Sequence, residues 1–254
     1  MQVCVIAKYT LIEAFKRRLI LLFMLAVPVC LAAGGYAAGL SMVEKQATLA
    51  AFYGVFIRIT AVLMLGIYLI LTESRALESG NVFVSLGLPL SRTRYLLEKW
   101  LAYSALALCL VILATIPFLL TQVSSAVIWA WAASLYCELL IVIAAALLLS
   151  LVFSQTLTPL LLFGVFYLFA RASGEFLVYS NNIIAGPSAP YELWMAWVLK
   201  ICTYLVPELD RFAGTEWLFY NAPEIDWLPV LLQTILFVVL LLAVSAERLL
   251  RKEF

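Results

Sequence analysis

The 254-residue chain contains no histidine. That absence excludes His-ligated metal sites, Ser-His-Asp and Cys-His catalysis, and His-based pH switches. Charge is also scarce: Asp, Glu, Lys and Arg make up 12% of the residues, against about 25% in an average soluble domain. So few charges cannot keep a surface wet and patch-free, which excludes a soluble globular protein. The 16 basic and 15 acidic side chains leave a net charge of +1, which excludes nucleic-acid binding driven by bulk charge. The cysteines (Cys4, Cys30, Cys109, Cys137 and Cys202) show no CxxC spacing. They read as small apolar fillers rather than a disulfide framework or metal site. Phosphate-binding GxxxxGK[ST] and GxGxxG loops are missing, as are HExxH, GxSxG and EF-hand patterns. Any energy drawn from ATP must therefore come from another chain.

What the sequence has in abundance is apolar side chains, 66% of the total, with a mean hydropathy of +1.08. A transmembrane helix needs roughly 20 mostly apolar residues, and six segments qualify. They run near Leu19–Leu40, Leu49–Thr72, Trp100–Thr121, Ala126–Phe153, Leu157–Ser173 and Leu228–Ala246. The fifth is short but uninterrupted. Leu193–Val206 carries Lys200 and is too short to span, so it reads as an interfacial or re-entrant helix. The first span exceeds a signal-peptide core and lacks a clear cleavage site, so it reads as a retained helix. The expected fold class is an all-α integral membrane protein forming one domain over residues 1–254. Pro117 is expected to kink the outer end of span three.

Loop charges set the orientation. With the N-terminus in the cytoplasm, 11 of the 16 basic residues lie inside, 4 outside and one, Arg58, within a span. Six spans place both termini in the cytoplasm.

Val5, Tyr9, Ile12, Phe15 and Leu19 share one helical face, so residues 1–18 read as an amphipathic helix on the membrane surface. The inside stretch 73–99 carries charges at both ends and an apolar patch of Val82, Phe83, Val84, Leu86 and Leu88 between them. Gly80 and Gly87-Leu88-Pro89 break it into short pieces, and Ser91 can cap the following helix. Such a patch in a polar loop suits docking of a cytoplasmic partner. Residues 174–227 form the largest outer segment. This segment is rich in acids, Trp and Tyr, and is expected to lie on or dip into the outer leaflet. Glu208 and Asp210, next to Arg211, read as a local charge cluster rather than an acid–base pair. Two ionisable groups fall inside spans, Arg58 and Glu138. Charges at that depth cost a few kcal/mol on insertion scales and usually face the bundle interior. They can pair with each other or face a polar path between subunits.

Taken together, the chain resembles the membrane subunit of a type-2 ATP-binding-cassette exporter. The resemblance rests on the N-terminal surface helix, six spans with both ends inside, and the short segment before the last span. It also rests on the loop pattern Glu78-x-Gly80, then Leu86, Leu88-Pro89-x-Ser91-Arg92, Tyr95 and Lys99. Leu205-Val-Pro207-Glu-Leu-Asp210-Arg211-Phe212 also looks like the Pro-x-Leu-x-x-Phe segment these permeases often have outside the last helix. The topology match covers essentially the whole chain, and the loop match covers about 30 residues. Unlike many members, the chain has no fused ATPase and no large outer domain.

The resemblance implies a half-transporter in a bacterial cytoplasmic (inner) membrane. Two permease copies, a homodimer or a pair of close relatives, would enclose the path. Two cytoplasmic ATPase subunits, holding ATP and Mg, would dock on the 73–99 loops, with no cofactor on this chain. Glu78, Gly80, Phe83, Leu86, Pro89, Arg92 and Arg94 are the residues expected at that contact. An apolar path would suit a lipid or hydrophobic compound. Other readings are a membrane subunit that passes ATPase motion to an outer partner without transport, a lipid-modifying membrane enzyme, and a channel or secondary transporter. The enzyme would need a cluster of polar catalytic residues at one depth. A secondary transporter would want broken helices in corresponding positions of two halves.

Overall fold

The computed structural model describes residues 10–14, 18–41, 45–78, 92–121, 123–153, 155–185, 190–212, 214, 216–220 and 226–251. Among them there is no strand. The helices are α1 (Leu19–Leu40), α2 (Lys45–Glu78), α3 (Arg92–Thr115), α4 (Ser125–Val152), α5 (Leu157–Ala185), α6 (Pro190–Leu205), α7 (Glu216–Tyr220) and α8 (Trp227–Arg251). Six of them, α1 to α5 and α8, are long and apolar enough to cross a membrane, which marks a multi-pass membrane protein. Of the expected surface helix, residues 10–14 and 18 are described; residues 10–14 are helical, with Thr10 and Ala14 buried. Gly80, Phe83, Leu86 and Pro89 of the expected docking loop lie outside the described residues.

Helix α4 is the most buried span and packs against α2, α3 and α8. Its sequence explains this position. Ala130, Ala132, Ala144, Ala145 and Ala146 are all buried on it, and small residues let neighbouring backbones approach. Close approach also decides two glycines. A Cβ on Gly34 of α1 would stand 3.2 Å from the Leu49 carbonyl oxygen and from the Tyr53 nitrogen of α2. One on Gly66 of α2 would stand 2.2 Å from the Phe163 ring of α5.

Helix α3 ends at Thr115, and a 3-10 turn over Ile116–Leu120 follows, with Pro117 at its start. Proline cannot donate to the preceding turn, so the α-helix stops there. The turn presents Phe118 edge-on to Tyr53 at 5.0 Å and to Trp131 at 4.9 Å between ring centroids. The Tyr53 hydroxyl donates to the Ala114 carbonyl at 2.8 Å.

Two helices outrun their apolar cores. Helix α2 continues through Glu73 to Glu78, so the first residues of the 73–99 stretch are helix rather than loop. Helix α5 runs on past Ser173 to Ala185. Its hydroxyls do not break it, because Ser173 and Ser180 donate back to the carbonyls of Ala170 and Leu177 at 2.8 and 3.0 Å. Arg171, at the outer end of the expected fifth span, therefore sits mid-helix. Helix α6 is 16 residues long, shorter than a span, and lies against α5.

Candidate functional site

Among the described residues, two polar clusters interrupt the apolar bundle, and α2 contributes to both. Residues Gly54, Ile57, Arg58, Ala61, Leu65 and Leu69 form the buried stripe of α2, the three- and four-residue spacing of one helix face. Arg58 thus points into the bundle by register, where it is 2% exposed.

Both terminal nitrogens of the Arg58 guanidinium are fully engaged. Its Nη1 donates to Glu138 Oε2 at 2.8 Å and to the Phe212 carbonyl at 2.9 Å. Its Nη2 donates to Ser134 Oγ at 2.8 Å and to the Trp131 carbonyl at 3.3 Å. The Ser134 hydroxyl spends its own hydrogen on the Trp131 carbonyl at 2.8 Å, leaving its oxygen free to accept from Arg58. The Trp131 ring lies 5.2 Å from the guanidinium carbon, which adds a cation–π contact. Glu138 is fully buried, and Tyr167 of α5 donates to its other oxygen at 3.4 Å. One ion pair therefore joins α2, α4, α5 and the 3-10 turn Leu209–Phe212. Burying either charge at this depth without such partners would be costly.

Arg171 stands one turn along α5 from Tyr167. Its Nη1 is buried and has no hydrogen-bond partner among the described residues. Nearby, Gly174 lets the Asp210 carboxylate approach, since a Cβ there would lie 2.6 Å from Asp210 Oδ2. Glu208 and Arg211 pair with each other in the same turn.

The second cluster lies where α2 and α3 flank residues 79–91. Lys99 Nζ donates to both oxygens of Glu73, at 2.7 Å each, and the Tyr103 hydroxyl donates to Glu73 Oε1 at 2.5 Å. The Tyr95 ring lies 5.4 Å from the ammonium. Glu73 and Tyr103 are buried, and Lys99 is 12% exposed. Nearby, Arg94 pairs with Glu98 at 3.1 Å. Glu78 Oε1 accepts from the Thr156 hydroxyl at 2.8 Å, tying the end of α2 to the start of α5.

The residues singled out in the sequence thus fall into three groups. Arg58 and Glu138 meet in one ion pair. Glu78, Arg92 and Arg94 sit on the helix ends beside residues 79–91, with Arg92 opening α3. Gly80, Phe83, Leu86 and Pro89 belong to the stretch that is not described. The Glu73–Lys99–Tyr103 cluster was not foreseen, although a signal for it exists. Glu73 continues the Leu65 and Leu69 register, and Lys99 and Tyr103 stand four apart ahead of buried Leu106 and Leu110.

No protein-family model matches the chain, and no curated protein matches it.

Proposed function

We propose that the chain is the permease subunit of an ATP-binding-cassette exporter, working as a dimer with itself or a close relative. Two separate cytoplasmic ATPases, carrying ATP and Mg, dock on residues 79–91 of the two copies. Both termini lie in the cytoplasm, and the membrane is the inner membrane of a bacterium. The substrate is a lipid or hydrophobic compound.

The observation that carries this reading is the anchoring of the 79–91 stretch. Its two roots, α2 and α3, are bound to each other by Glu73, Lys99 and Tyr103. From Glu73, α2 runs unbroken to Arg58, roughly 22 Å away at 1.5 Å per residue. A push on the loop therefore moves a rigid rod whose far part is tied to three other elements. Packed interfaces of this kind switch between discrete arrangements rather than deform continuously. The apolar patch at Phe83 and Leu86, flanked by Glu78, Arg92 and Arg94, supplies the docking chemistry. The loop pattern and the inside excess of Lys and Arg support the same reading.

The test is purification of the full chain from its native membrane in mild detergent. An ATPase bearing a phosphate-binding loop is expected to come with it, and Phe83→Asp is expected to abolish that association. Co-purification that survives Phe83→Asp would place the docking elsewhere.

One observation favours a second reading. The Arg58 bond to the Phe212 carbonyl links the rod to the segment before the last span. A subunit that passes ATPase motion to an outer partner, without transport, would use that link. ATP-dependent transport by the reconstituted complex separates the two.

A further inference from the structure

The geometry points to a binding groove on α1 and α2 for one acyl chain of an anionic phospholipid, its headgroup held by Arg18 and Arg75. The inference rests on the chain being a membrane protein and not on its coupling to an ATPase.

The groove has a volume of about 420 Å³ and an almost wholly apolar wall, with Leu19 and Leu22 on one side and Thr60, Met64, Ile67 and Leu71 on the other. The two helices pinch together at its foot, where Cys30 Sγ lies 3.6 Å from Thr60 Oγ1. Two lining residues carry a hydroxyl: that of Thr60 is already used, donating to the Phe56 carbonyl at 2.7 Å, and Tyr68 stands one turn from Leu71, toward the headgroup end. The rest of the lining is apolar and offers an acyl chain no polar group to satisfy.

Its length selects the occupant. From Thr60 to Leu71 is roughly 17 Å along the helix at 1.5 Å per residue. Half of a typical hydrocarbon core is about 15 Å. Thr60 lies midway along the apolar run of α2, so the groove covers one leaflet from the bilayer middle to its surface. An acyl chain has that length and no polar group to satisfy.

Charge at the mouth selects the headgroup. Arg75 follows Leu71 by four residues on the same stripe and is exposed. Arg18 immediately precedes Leu19 and is exposed as well. It holds a left-handed backbone conformation, with φ 58°, at the point where the chain turns into α1. Neither arginine forms an ion pair among the described residues. Two cations at headgroup depth favour a net-negative phospholipid over a zwitterionic one.

The experiment uses the full chain, reconstituted in vesicles of equal phosphatidylglycerol and phosphatidylethanolamine. It is then extracted in mild detergent, and retained lipid is counted by native mass spectrometry. The wild type is expected to keep about one phosphatidylglycerol per chain. Arg18→Ala/Arg75→Ala is expected to lower that retention at least fivefold. Met64→Trp, which fills the groove and leaves both arginines in place, is expected to do the same. Arg248→Ala, which removes an exposed cation on α8, is expected to change nothing. Equal retention of the two lipids by the wild type would overturn the proposal. So would full retention by Met64→Trp, or a loss in Arg248→Ala as large as in the double variant.

Discussion

The two buried acid–base clusters use similar chemistry and differ in their escape from the bundle. Glu138 and Arg58 are at most 2% exposed, and the guanidinium makes four hydrogen bonds to three residues of α4 and the Phe212 carbonyl. Lys99 of the other pair is 12% exposed, and its ammonium sits on a flexible stem near the helix end. Lysine there can reach the interface if its partner is lost. The first cluster therefore behaves as a fixed knot. The second behaves as a clasp, binding only α2 and α3 at the roots of the 79–91 stretch. Knot and clasp lie on one unbroken helix, α2.

The largest break in that comparison comes at the knot. Glu138→Leu leaves the Arg58 guanidinium buried without its counter-charge, and removing one partner of a buried pair costs about 3–5 kcal/mol. Unfolding in detergent, followed by circular dichroism across a denaturant series, is expected to show a loss of that size. Arg58→Met/Glu138→Leu is expected to recover most of it, since a well-packed apolar pair often matches a buried ion pair. A double variant no more stable than the single one would show that the loss was not an unpaired charge.

A smaller break is expected at the clasp. Glu73→Gln keeps an acceptor for Tyr103 and frees Lys99 to move toward water, so the expected cost is about 1–3 kcal/mol. Under the permease reading this variant has a second signature. The ATPase still co-purifies, because residues 79–91 are untouched, while ATP-driven transport falls. Equal stability losses at Glu73 and Glu138 would erase the distinction between clasp and knot.

Much of the helical architecture was legible in the sequence, and its polar wiring was only half so. The six spans were readable because runs such as Leu19–Leu40 have no other use for so many apolar side chains. Arg58 and Glu138 stood out because charge inside a span is costly enough to need a reason. That Arg58 also holds the Phe212 carbonyl was not readable, since that contact crosses 154 residues of sequence and its acceptor is backbone. The end of α5 was missed because Arg171, Ser173, Gly174 and Glu175 imitate a membrane edge. The helix nevertheless runs on to Ala185, because the serine hydroxyls turn back onto its own carbonyls instead of ending it. Glu73 and Lys99 looked like two ends of a charged loop. Only helical register, followed past the apolar run, places both on buried faces.

The docking of an ATPase on residues 79–91 can be tested most directly at Phe83. A photo-crosslinking amino acid placed there, in cells expressing the full chain, is expected to trap a second polypeptide that carries a nucleotide-binding phosphate loop, identified by mass spectrometry. Cross-links confined to lipid, or to the chain itself, would contradict the permease reading.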